Sequence, residues 1–474
     1  MEENHEKSDF TIRVCPRLAN GAVSSARGAQ MRGVGRVSLG PLPPVHPALS
    51  NPPQPPPGLR PFHVLAKPIG ARCNLECRYC FYLEKEPALY PDTGVPRMSE
   101  ATLERFVRGY IAAQPGSAEV MFGWQGGEPT LLGVAFFERV VELQRQYAAG
   151  RPVANALQTN GTLLDDEWGE FLAREKFLVG LSIDGPRLLH DPYRVDRGGR
   201  PTWEKVMQGL RLLKRHRVQF NTLTVLHRRN VRHAVEVYEF LREHGSGFMQ
   251  FIPLVERRPE PSELARGLAH GAPQLAGGAL LPRERLEKTM AAECPPPEGV
   301  GDFLIEVFDH WVRRDVGRIF VQTFDVALSA WMGQGAPLCI FQETCGRALA
   351  LEYNGDLYAC DHFVYPEHRL GNLHTTPLAD LGHGAGAERF GAAKADLPRV
   401  CRECPVRFVC NGDCPKHRFV AAGEGEPGVS YLCPSYRRFF THIGPKMEQM
   451  AALLRAGRAP AEVMKSEKIW KQQK

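Results

Sequence analysis

Between residues 62 and 254 the chain alternates short apolar runs with amphipathic ones six times, and few folds can use that order. Candidate strands lie at 62–68, 119–125, 154–159, 178–183, 219–226 and 248–254. Runs near 99–114, 134–147, 166–175, 202–216 and 231–244 carry a helical period; in the second, Phe136, Val140, Val141 and Leu143 share one face. Each unit takes about 32 residues, close to the roughly 30 of a βαβ step. The fold class expected is α/β, a partial (β/α)6 TIM-like barrel. Chemistry in such barrels gathers at the C-terminal ends of the strands.

The first strand runs into Cys73-x3-Cys77-x2-Cys80. Zinc sites usually take four ligands from paired cysteine arms, and no fourth stands nearby, so buried structural thiols or zinc fit poorly. Here the sequence resembles the radical S-adenosylmethionine superfamily. That resemblance implies a [4Fe-4S] cluster held by three thiolates, with its fourth iron open to S-adenosylmethionine. Reductive cleavage would release a 5′-deoxyadenosyl radical able to abstract hydrogen.

Bulk properties agree. The 474 residues carry a net charge of +6, with 43% hydrophobic and 24% charged residues, as in a soluble globular protein. No basic, aromatic-interleaved stripe suggests nucleic acid, and no apolar run is long enough for a membrane span. With no signal pattern at the N-terminus, a cytoplasmic location is expected. Thirteen cysteines then point to metal before disulfides. Residues 1–60 read as a disordered Pro/Gly-rich tail in which Met31 is an alternative start. The barrel is expected over 61–255, an insertion and linker with helices over 256–335, a Cys-rich domain over 336–445, and a helical, basic tail over 446–474.

The later strand ends are rich in glycine and small polar residues. Gln125-Gly126-Gly127-Glu128-Pro129 follows the second strand, where two glycines allow close backbone approach. It matches the superfamily's contact to the methionine amine. Ser182, near the end of the fourth strand, is expected among the contacts to ribose and carboxylate, and Arg194, soon after it, is expected to fork onto the carboxylate. Asp184 reads equally as a contact or a turn former. Leu254, ending the last strand, is expected against the adenine, with core packing an equal account.

Eight further cysteines follow: Cys339, Cys345, Cys360, Cys401, Cys404, Cys410, Cys414 and Cys433. Eight ligands suit two fully coordinated four-iron clusters, leaving Cys15 and Cys294 as bystanders. Read alone, the run from Cys401 to Cys414 also fits a zinc knuckle with His417. The whole pattern resembles the SPASM extension of peptide-modifying radical enzymes. That resemblance implies interleaved sets: Cys339, Cys345, Cys360 and Cys414 for one auxiliary cluster, Cys401, Cys404, Cys410 and Cys433 for the other.

Residues 62–440 resemble the anaerobic sulfatase-maturating enzymes. The likeness rests on the stretches 73–83, 125–131, 157–163 and 179–186 and on Cys360-Asp361. It implies oxidation of a serine or cysteine, in a Cys/Ser-x-Pro/Ala-x-Arg motif of an unfolded or nascent sulfatase, to Cα-formylglycine without oxygen. It also implies a hydrogen atom taken from Cβ, Asp361 as the base, Tyr82 and Gln125 as positioning groups, and an electron donor such as flavodoxin or ferredoxin. The alternative is a peptide maturase forming thioether or C–C crosslinks.

Overall fold

The computed structural model describes residues 61–90, 94, 96–116, 119–275 and 279–465; the 1–60 tail and residues 466–474 lie outside them. The strands are β1 (His63–Lys67), β2 (Val120–Trp124), β3 (Val153–Thr159), β4 (Leu178–Ser182), β5 (Gln219–Leu226) and β6 (Phe248–Pro253). Between them run helices α1 (Glu100–Ala113), α2 (Val134–Tyr147), α3 (Asp166–Arg174), α4 (Trp203–Arg215) and α5 (Ala234–His244). Starts are set by side chains that satisfy orphan amides. Ser99 Oγ accepts from Thr102 N at 3.1 Å, and Asp165 Oδ1 accepts from Trp168 N at 3.0 Å. Phe106, Phe122, Trp124 and Phe137 are fully buried and meet edge to face or stacked between sheet and helices.

β1 to β6 pair in parallel and in chain order, as the alternation requires. The sheet then extends at both edges. Helix α6 (Gly299–Trp311) leads to β7 (Phe320–Val321), which joins β6, and α7 (Gln322–Trp331) follows. At the other edge β8 (Ala348–Glu352) pairs parallel with β1, and β9 (Asp356–Tyr358) and β10 (Arg369–Asn372) continue antiparallel. One sheet of ten strands thus carries both the barrel and the start of the Cys-rich region, with order β10-β9-β8-β1-β2-β3-β4-β5-β6-β7. The long helix α8 (Cys433–Arg455) closes the structure against α6. Their approach is tight: Gly301 N donates to Ser435 Oγ at 2.7 Å, and a Cβ on Gly301 would stand 2.7 Å from Ser435 Cα.

The segment after β6, expected as a surface insertion, is tied down from both sides. Glu84, beside the first cysteine motif, accepts from Ala269 N at 3.0 Å and His270 N at 3.2 Å. Leu281 forms a bridge with Val420, and Glu256 pairs with Lys416. Cys294 lies in a loop, as read, but is fully buried: its Sγ donates to Glu256 O at 3.3 Å and accepts from Glu256 N at 3.2 Å. It bonds to backbone, which accounts for a cysteine outside the ligand sets.

Candidate active site

The loop after β1 carries Cys73, Cys77 and Cys80, all half-buried and free. Cys73 Sγ accepts from Leu75 N at 3.3 Å, and Cys80 N donates to Cys77 O at 3.0 Å. Burial pushes Cys73 and Cys77 up to about 12 and also raises Cys80, with the neighbouring thiols adding to the effect on the first two. Thiols in so dry a place ionise only for a cation, so the donor set fits an iron–sulfur cluster and not reactive cysteines. Among the described residues no three His, Cys, Asp or Glu side chains gather as the ligands of a single ion do; thiolates around a four-iron cube need not converge on one point.

The glycine loop after β2 passes directly beneath. Gly127 N donates to Gly70 O at 2.8 Å and Glu128 N to Arg72 O at 2.9 Å. A Cβ on Gly127 would lie 2.0 Å from Arg72 O, and Gly126 has φ of 134°, so only glycine fits both positions. Gln125 Oε1 is buried without a partner, an acceptor left over for a ligand.

Two residues expected on the cofactor are engaged within the protein. Glu128 is 1% exposed. Its Oε1 accepts from Thr130 N, Thr130 Oγ1 and Thr159 Oγ1 at 3.1, 2.6 and 2.7 Å, and its Oε2 from Asn160 N at 2.7 Å. It braces the β2 loop against the β3 loop. Arg194 forks onto Asp184, with Nε to Oδ2 at 2.9 Å and Nη2 to Oδ1 at 3.1 Å. Asp184 also accepts from Tyr79 Oη at 2.5 Å and Val225 N at 3.1 Å. Burial alone would raise Asp184; Arg194 together with His227 and His190 outweighs it and holds the carboxyl low. The fork to Asp184 holds the guanidinium beside Cys77, whose pKa it lowers against the effect of burial. Ser182 is half-buried, and its hydroxyl makes no hydrogen bond among the described residues. Leu254 is buried at the end of β6, its N donating to Leu226 O at 3.0 Å.

Asp361 stands in the turn after β9, one residue past Cys360, with its side chain 15% exposed. Its Oδ1 lies 2.5 Å from Lys67 Nζ, off the axis of a regular hydrogen bond, so the contact is an ion pair. Burial would raise the Asp361 carboxyl, but Lys67 and the neighbouring His362 and Lys416 hold it below the usual range. Lys67 ends β1, fully buried, 3.9 Å above the Tyr82 ring; the Tyr82 hydroxyl donates to Glu352 at the end of β8. Lys67 escaped the sequence reading because it looked like the last residue of a strand. Its one visible signal was a charge in an otherwise apolar run.

The eight later thiols fall into two groups by proximity. Cys401, Cys404, Cys410 and Cys433 line one cavity. Burial raises Cys360 and Cys414, and the nearby cysteines that add to this are Cys414 and Cys339 for the first, Cys345 and Cys339 for the second. Asp413 lies between the groups, raising Cys410 and Cys414 alike. Its Oδ2 takes His417 Nδ1 at 2.7 Å and Ser430 Oγ at 2.8 Å, which gives His417 a partner other than metal.

Comparisons with known proteins follow this division. The family model described as the Radical SAM superfamily matches residues 68–241, and that of an iron–sulfur cluster-binding domain matches 339–405. A serine-type anaerobic sulfatase-maturating enzyme of Bacteroides thetaiotaomicron is 43% identical over 86% of this chain and 96% of its own. A cysteine-type enzyme of Clostridium perfringens is 31% identical over 82% of this chain and 98% of its own. The solved structure of native anSMEcpe with bound AdoMet and Cp18Cys peptide superposes with a TM-score of 0.70 at 30% identity, covering 83% of this chain and 99% of that one. A fused barrel and Cys-rich sheet, matched across nearly the whole length of such relatives, places the chain among the anaerobic sulfatase-maturating enzymes of the radical S-adenosylmethionine superfamily.

Proposed function

We propose that the chain oxidises a serine or cysteine side chain, within a Cys/Ser-x-Pro/Ala-x-Arg segment of an unfolded sulfatase, to Cα-formylglycine without oxygen. The observation that carries this reading is the Lys67–Asp361 pair, a half-buried carboxylate kept ionised beside a cluster cysteine. When bound at the Cys73, Cys77 and Cys80 cluster, S-adenosylmethionine supplies hydrogen-atom abstraction from the substrate Cβ. The protein does the rest. Gly126 and Gly127 bring backbone against the cofactor, Gln125 offers its free carbonyl, and Ser182 an unengaged hydroxyl. Leu254 walls the pocket, and Tyr82 is fixed through Glu352. Asp361 takes the proton of the substrate hydroxyl or thiol. The interleaved thiol sets hold two auxiliary [4Fe-4S] clusters, giving three in all.

No helix among the described residues is long and apolar enough to cross a membrane; a cytoplasmic location and a flavodoxin- or ferredoxin-type electron donor belong to the same proposal. The test is anaerobic incubation with S-adenosylmethionine, a reductant and peptides bearing the motif with serine or with cysteine, read by mass spectrometry. Loss of two hydrogens from serine, or the same aldehyde from cysteine, is expected. A thioether or C–C crosslink in its place would support the peptide-maturase reading; an unmodified peptide beside intact S-adenosylmethionine cleavage would refute sulfatase maturation.

A further inference from the structure

The cavity of Cys401, Cys404, Cys410 and Cys433 is also lined by Val400 and Arg407. Cys404, Cys410 and Cys433 are only half-buried, and beside them Val400 and Phe408 are 45% and 47% exposed. Around this apolar spot stand exposed guanidiniums. Arg407 and Arg437 line the cavity, Arg399 precedes Val400, and Arg283, in the segment after β6, lines the cavity next to it with Ser430, which the two share. None of these four guanidiniums pairs with a carboxylate among the described residues; the exposed, unpaired acids close to them in sequence are Glu403 and, beside Arg283, Glu284 and Glu287. A small apolar centre in a cationic ring, over half-open thiols, has the composition of a weak, charge-steered contact.

We infer that this face docks a small acidic one-electron carrier protein, exchanging electrons at the outer thiol set. The inference rests on the cluster reading above and gives its electron carrier a place. The balance is simple. Oxidising the substrate removes two electrons; one leaves within the hydrogen atom. The other passes to a carrier in its oxidised form, which becomes the one-electron-reduced form. No bond forms or breaks at this surface.

The experiment measures binding of flavodoxin to the anaerobically reconstituted full chain, without peptide or S-adenosylmethionine, by titration calorimetry at low and physiological salt. Affinity should fall with salt, and Arg399→Glu with Arg407→Glu should weaken it at least about tenfold. Lys205→Glu with Arg211→Glu, on the outer face of α4, should leave it within about twofold. Equal affinity for all three proteins, or none that responds to salt, overturns the inference. Should the first variant lose iron, hydrogen exchange on the unmodified protein replaces it. Flavodoxin-dependent protection over 399–410 is expected, and protection confined elsewhere sinks the idea. Binding is read without turnover, so a chain that fails to oxidise the peptide yet shows this footprint counts against the proposed function alone.

Discussion

Asp361 serves as a base only while it is ionised and held still, and Lys67 provides for both. Asp361→Asn is expected to lower formylglycine formation at least about 100-fold. Lys67→Met should depress formylglycine more than 5′-deoxyadenosine, lowering the yield of formylglycine per 5′-deoxyadenosine as chromatography reads it. Gly127→Ala tests the loop above: its Cβ would meet Arg72 O at 2.0 Å, so iron analysis should show the first cluster lost while the fold remains. Lys85 offers a test of stability instead. Burial pushes it down from 10.5 to about 7, with Val364 O at 3.4 Å and the Tyr365 ring at 3.2 Å as its neighbours. The unfolded chain binds a proton there more readily, so the cost of burying the cation is full below pH 7 and fades from about 7 to 10.5. Lys85→Met should therefore raise the unfolding midpoint most below pH 7 and progressively less above it. At this scale the sequence showed which residue types mattered but not their partners. Glu128 and Arg194 read as ligand contacts in a string of letters, and the structure adds partners the letters do not show, Thr159 for the first and Asp184 for the second.

Among the elements, what periodicity could express was legible. β5 spans the expected residues, and β1 to β4 and β6 fall within one residue of theirs at each end. α2 spans 134–147 as read. Apolar alternation and caps are local signals, and these elements are short and strongly patterned. β7 to β10 were not legible, because β7 and β8 pair with strands far along the chain and β9 and β10, of three and four residues, leave no period. The contact of α6 with α8 is of the same non-local kind. Gly301→Leu, forced against Ser435 Cα, should cost about 1–3 kcal/mol, read from the denaturation midpoint.

For the whole molecule, the question is how eleven thiols divide. Three four-iron clusters correspond to about 12 irons per chain. If the sets interleave, Cys401→Ala with Cys410→Ala strikes one cluster and should remove about 4 irons. Cys410→Ala with Cys414→Ala, though closer in sequence, strikes two and should remove about 8. Equal losses would refute the interleaving. Spacing could not reveal that division, since Cys410 and Cys414 are neighbours along the chain yet group with different thiols.

The parallel union of β1 with β8 has a further consequence, for how the protein is made. β1 ends at Lys67, and the strand that covers its outer side begins only at Ala348. During synthesis the first strand therefore waits, one flank of its backbone bare, until most of the polypeptide has left the ribosome. A long-lived open flank invites sticking between nascent chains. Slow, cool expression should thus favour recovery of the intact enzyme.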